Sequence, residues 1–137
     1  MLFRSRGALT GGYVGDMPHN WASAECVLFL RHMLALEDGP RLRLLAGIAA
    51  PELAAGEPYR VASSPTRFGR IGLALEPAGR GWRLAFERGS GPAPDAVELP
   101  ETLAGLRFAG AKGAAAKRED GRVLVDPAAG SWEASWA

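Results

Sequence analysis

The sequence predicts a mainly β protein, in which one long N-terminal α-helix is packed on a small antiparallel β-sandwich or sheet. Three observations predict it. Residues 18–37 repeat apolar side chains at three- and four-residue steps, the period of a helix face. After Pro40 the pattern changes to short apolar runs punctuated by Gly and Pro, the pattern of strands and tight turns. The chain has 137 residues, 47% of them apolar, which suffices to bury one core without a metal or a disulfide.

Residues 1–15, with Gly11, Gly12 and Gly15 near their end and no sustained period, read as an irregular lead-in. Asp16 and Pro18 mark a helix start, because a carboxylate suits the positive N-terminal end and Pro is tolerated in the first turn. Trp21, Ala24, Val27, Leu28, Leu34 and Ala35 then form the apolar stripe, and Gly39-Pro40 is read as the stop. At about 1.5 Å per residue this helix is roughly 30 Å long. It is apolar on more than one face, since Val27, Leu28, Phe29, Leu30, Met33, Leu34 and Leu36 leave few polar positions. Such a helix requires neighbours on several sides, and one β-domain supplies only one of them.

Strands are predicted at Leu42–Leu45, Tyr59–Ala62, Ile71–Glu76, Trp82–Glu87, Val97–Leu99, Leu106–Ala109, Arg122–Val125 and Trp132–Ser135. Pro77-Ala78-Gly79 and Asp120-Gly121 are turn signals between neighbouring runs. Pro51 to Gly56 suits a single helical turn, and Gly110 to Ala116 reads as a loop. The expected organisation is a lead-in and helix over residues 1–39 and an antiparallel β-domain over residues 40–137.

Composition excludes several functions. The net charge is +1 and charged residues are dispersed, so the chain carries no electrostatic footprint for nucleic acid. Cys26 stands alone, which rules out an internal disulfide and a cysteine-rich metal site. His19 and His32 are thirteen residues apart and form no metal motif, and Gly110-Ala111-Lys112-Gly113 lacks the pattern of a phosphate-binding loop. Val27 to Leu36 is the most apolar stretch, too short for a bilayer and broken by Arg31 and His32. Residues 1–10 lack the apolar run of a signal peptide. The expectation is a chain that is cytoplasmic as written, with no membrane partner, cofactor or metal.

His19 is the residue best placed for chemistry. The positive end of a helix disfavours an imidazolium, and a neutral imidazole can donate to or accept from a sugar hydroxyl. The same position suits a capping or packing histidine. Trp21, two residues on, can offer an apolar face to a pyranose ring or fill a core. Asp16 and Glu25 are nine residues apart, on different turns, and make a poor acid pair for glycoside hydrolysis. No Ser-His-Asp spacing occurs, so a complete catalytic site is not expected. Arg67, in Pro65-Thr66-Arg67-Phe68-Gly69, can close an ion pair with Glu25 or Glu37.

Four segments carry a family resemblance: Gly15-Asp16-Met17-Pro18-His19-Asn20-Trp21-Ala22-Ser23-Ala24-Glu25, Leu30 to Gly39, Leu42 to Ile48, and Pro65 to Gly69. Together they resemble the C-terminal end of bacterial six-hairpin glycosidase-like proteins, toroids of twelve helices similar in architecture to bacterial alpha-L-rhamnosidases. The resemblance spans residues 11–75. It implies that the helix is the last of an (α/α)6 toroid and runs into a C-terminal β-sandwich. It also implies substrate-binding positions at His19, Asn20, Trp21 and Glu25, with the catalytic acid and base on helices outside this chain. Packed in a toroid, the helix would bury about a dozen side chains at roughly 1.5–3 kcal/mol each.

The leading expectation is therefore the C-terminal part of a glycoside hydrolase-like, carbohydrate-active protein. It would supply a pocket-rim helix and a scaffold, with carbohydrate and the missing helical toroid as partners. The alternative is a non-catalytic sandwich that binds carbohydrate through Trp82, Trp132 or Trp136, or that self-associates through its apolar helix.

Overall fold

The computed structural model describes residues 20–137. Their order is α1 (Asn20–Leu34), β1 (Ala35–Asp38), β2 (Arg41–Leu44), α2 (Ala50–Leu53), β3 (Tyr59–Thr66), β4 (Gly69–Ala78) and β5 (Gly81–Arg88). There follow β6 (Ala96–Pro100), β7 (Thr102–Leu103), β8 (Leu106–Lys112), β9 (Ala116–Glu119), β10 (Arg122–Val125) and β11 (Ser131–Trp136). The chain divides into two units between Arg31 and His32, so the last turn of α1 belongs with the strands.

α1 ends earlier than the apolar period predicts, at Leu34. Ala35 to Asp38, read from the sequence as the end of the helix, is instead a strand paired antiparallel with β2, Ala35 opposite Leu44 and Asp38 opposite Arg41. Ala, Leu and Glu are good helix formers, but here strand pairing and the burial of Ala35 override propensity. The carbonyls freed at the helix end are satisfied by the chain after β2. Leu45 N–H donates to the Leu34 carbonyl at 2.8 Å, and Gly47 N–H donates to that of Met33 at 3.1 Å. Gly39-Pro40 is thus the two-residue turn of the β1–β2 hairpin and not a helix stop.

The strands form two sheets. The first, in the order β1-β2-β6-β10-β9, is antiparallel except for the parallel pair β2–β6, a departure from the all-antiparallel expectation. The second has the order β3-β4-β5-β11-β8-β7. Period-two alternation puts Leu42, Leu44, Val97, Leu99, Val123 and Val125 of the first sheet into the same core as Ile71, Leu75, Leu84, Phe86 and Trp136 of the second. All eight strands read from the sequence are present, six of them longer than predicted by two to four residues. β1, β7 and β9 were not foreseen, because Ala35–Asp38 and the exposed Ala116–Glu119 do not alternate and Thr102–Leu103 is only two residues long. The predicted loop at Gly110 to Ala116 is partly strand, with Gly110–Lys112 completing β8.

Loops are held by specific polar contacts. Arg88 projects from the inner face of β5 at the edge of the core. It donates to the carbonyls of Phe68 at 3.3 Å, Gly91 at 3.2 Å and Pro127 at 3.4 Å, and so ties three connections to one guanidinium. The predicted ion pair forms with Glu37, whose Oε2 lies 3.5 Å from Arg67 Nε and accepts the Arg67 backbone N–H at 3.0 Å. Glu37 is on the first sheet and Arg67 in the β3–β4 turn of the second, so the contact joins the sheets.

The β9–β10 turn is Asp120-Gly121, as predicted, with φ of +50° and +74°. Asp tolerates this left-handed region, and Gly occupies it without steric cost. A Cβ on Gly121 would meet nothing within 4 Å, so the cost of Gly121→Ala is the backbone conformation alone. We expect about 1 kcal/mol of destabilisation in urea melts, with no change in the slope of the transition.

Candidate functional site

The residues that the sequence nominates as a site begin before the described part of the chain. His19 and Asp16 lie outside the described residues. Asn20 is the first described residue of α1, and Trp21 and Glu25 follow on it one turn apart, both exposed. A four-residue step puts these two side chains on the same helical face, where an aromatic ring and a carboxylate can meet one ligand. Exposed apolar side chains occupy much of the same helix, among them Val27, Phe29 and Leu30, with Phe29 65% exposed.

The three tryptophans nominated as sugar platforms are not available for that role. Trp82, Trp132 and Trp136 are 7%, 3% and 1% exposed. Trp132 stacks on Phe86 with centroids 4.8 Å apart, and Trp136 meets Phe108 edge-on at 5.9 Å. Strand register explains the burial, since Trp132 faces Phe86 and Trp136 faces Trp82 across the β5–β11 pair on the core side. His32 is exposed near the end of α1.

Two polar constellations that sequence reading missed lie on the outer faces of the sheets. On the second sheet, small residues at Ala62, Gly72, Ala74 and Ala85 floor a groove of about 500 Å³ bordered by Arg60, Glu87, Ser131 and Glu133. Glu87 lies over Gly72, where a Cβ would come within 2.6 Å of its Oε1. Beside the groove, Glu76 accepts from Arg60 and, at 3.4 Å, from Arg83.

On the first sheet, Glu98 is only 3% exposed although it sits on the outer face, because three arginines arch over it. Arg41 Nη1 donates to its Oε1 at 2.7 Å, Arg122 Nη1 donates to its Oε2, and Arg43 Nε lies 3.5 Å from Oε2. Arg43 Nη1 also reaches Asp38 at 3.3 Å. Burial alone would raise the Glu98 pKa. The hydrogen bonds and positive charge of Arg41 and Arg122 outweigh it, and the carboxyl is held below its ordinary value of 4.5. The only signal for this cluster in the sequence is a charged residue at the centre of an apolar run, Val97-Glu98-Leu99.

Among the described residues no group of three or more His, Cys, Asp and Glu is placed to hold a metal ion. No described helix is long and apolar enough to cross a membrane. No protein-family model, curated protein or solved structure matches the chain.

Proposed function

We propose that the chain is the C-terminal part of a glycoside hydrolase-like, carbohydrate-active protein of the six-hairpin type. In this reading α1 is the last helix of an (α/α)6 toroid, and His19, Asn20, Trp21 and Glu25 line the rim of its sugar pocket. The strands act as the scaffold that anchors this helix, and the catalytic carboxylates lie on helices outside the chain. The observation that carries the proposal is the direct passage of α1 into β1 at Leu34–Ala35, with the helix end bonded to Leu45 and Gly47. Apolar side chains left exposed on α1 add support, because neighbouring toroid helices would cover them.

The purified chain is expected to leave aryl glycosides intact. Robust hydrolysis lost in His19→Ala would overturn the assignment of the catalytic acids to other helices. A second reading, carbohydrate binding by the strands themselves, is favoured by the groove on the second sheet, whose Arg60, Glu87, Ser131 and Glu133 can all bond hydroxyl groups. Without hydrolysis, saturable glycan binding abolished by Glu133→Ala would select that reading.

A further inference from the structure

We propose that the cavity beside Arg43 and Arg122 on the outer face of the first sheet binds a small organic oxyanion, a carboxylate or a phosphate monoester carrying an apolar group. This site is independent of the carbohydrate reading.

The cavity measures about 300 Å³, at the small end of the range for ligand sites. Arg43 and Arg122 line it on one side, Thr102 offers a hydroxyl, and Ala46, Ile48 and Pro100 form an apolar wall. Glu98 is the one carboxylate among its lining residues, and it already accepts from Arg41 and Arg122 with Arg43 beside it. Three guanidiniums share only two carboxylates, Glu98 and Asp38, in direct ion pairs, and the other acidic groups near Arg122, Glu119 and Asp120, line the neighbouring cavity.

Donor arithmetic points the same way. A guanidinium carries five N–H groups. Arg122 commits Nη1 to Glu98, and Arg43 commits Nε toward Glu98 and Nη1 to Asp38. Nε and Nη2 of Arg122 and Nη2 of Arg43 keep donors for a ligand. The buried carboxylate holds both side chains in place before any ligand arrives, which lowers the ordering cost of binding.

Electrostatics select this side of Glu98 over the other. The neighbouring cavity of about 310 Å³, between Arg41 and Arg122, is also lined by Glu119 and Asp120, which repel an anion. The apolar wall at Ala46, Ile48 and Pro100 belongs only to the Arg43 side, and it favours an anion with a hydrocarbon body over inorganic phosphate.

The test titrates benzoate, phenyl phosphate and inorganic phosphate separately into the full chain, followed by calorimetry and by NMR shifts of the arginine Nε–H groups. Saturable binding of either aromatic anion, tighter than that of inorganic phosphate, is expected, and the stronger of the two identifies the headgroup. Ala46→Glu places a carboxylate on the wall at an exposed position that touches none of the bonds to Glu98. It is expected to weaken binding about tenfold or more. Lys117→Gln, which removes a charge outside this cavity, is expected to change affinity less than about twofold. The proposal is overturned if neither aromatic anion saturates below about 10 mM. It is equally overturned if inorganic phosphate binds as tightly as they do, or if the two variants weaken binding alike.

Discussion

Replacing Trp136 by Ala is expected to remove about 3–5 kcal/mol of stability, a large share of the roughly 5–15 kcal/mol that holds an ordinary domain folded. Three losses combine. The indole is 1% exposed, so deleting it forfeits the burial of nearly all its apolar surface and leaves a cavity against the second sheet. The edge-on contact with Phe108 at 5.9 Å disappears. The hydrogen bond from Trp136 Nε1 to the Pro100 carbonyl at 3.0 Å is also lost, and with it a direct link between β11 of one sheet and β6 of the other. Trp136→Phe keeps most of the volume but not the N–H, and is expected to recover more than half of the loss. By contrast Phe29→Ala, at a side chain 65% exposed, is expected to change stability by less than about 0.5 kcal/mol. Urea melts followed by tryptophan fluorescence and by far-UV circular dichroism would measure all three. A Trp136→Ala chain as stable as the parent would mean that the two sheets do not share the core described.

Glu98→Ala is the second large effect, expected at about 2–3 kcal/mol at neutral pH, the scale of a lost hydrogen-bonded charge. Removing the carboxylate brings Arg41, Arg43 and Arg122 together with their common acceptor gone. The full cost of stranding a buried charge does not apply, because these arginines are 55%, 28% and 44% exposed and water screens them. The sign of the pH dependence follows from the direction of the shift. A carboxyl whose folded pKa lies below its unfolded value stabilises the fold fully above the ordinary value of 4.5, and the stabilisation is lost as pH falls through the folded pKa. The parent chain is therefore expected to lose stability relative to Glu98→Ala as pH drops below that value, so the gap between them narrows. A gap that stayed constant between neutral and strongly acidic pH would exclude Glu98 as its source.

Much of the strand content was legible because it is written in local chemistry. Alternation in Ile71 to Glu76 and Trp82 to Glu87, and the Asp120-Gly121 dipeptide, each act within a few residues, and the structure follows them. The Arg67–Glu37 pair was reachable from complementary charge, although Glu25 satisfied the same rule and only the position of β1 separated the two. The tryptophans show the opposite. In β11, Trp132 and Trp136 alternate with polar residues, and alternation says that they share a face without saying whether that face is covered.

The sequence alone determined that this protein is mainly β, where most strands and turns fall, that an apolar helix precedes them, and that its cysteine and histidine content supports no cysteine-rich or histidine-pair metal motif. Those properties follow from residue periodicity and from which side chains exist. Tertiary structure decided where the helix stops, which tryptophans are buried and which polar groups meet. Ala35 to Asp38 leaves the helix because β2 offers it a strand partner. Glu98 meets Arg41 and Arg122 across separations of 57 and 24 residues because β2, β6 and β10 lie side by side. Such contacts depend on strand order, and local patterning leaves strand order open.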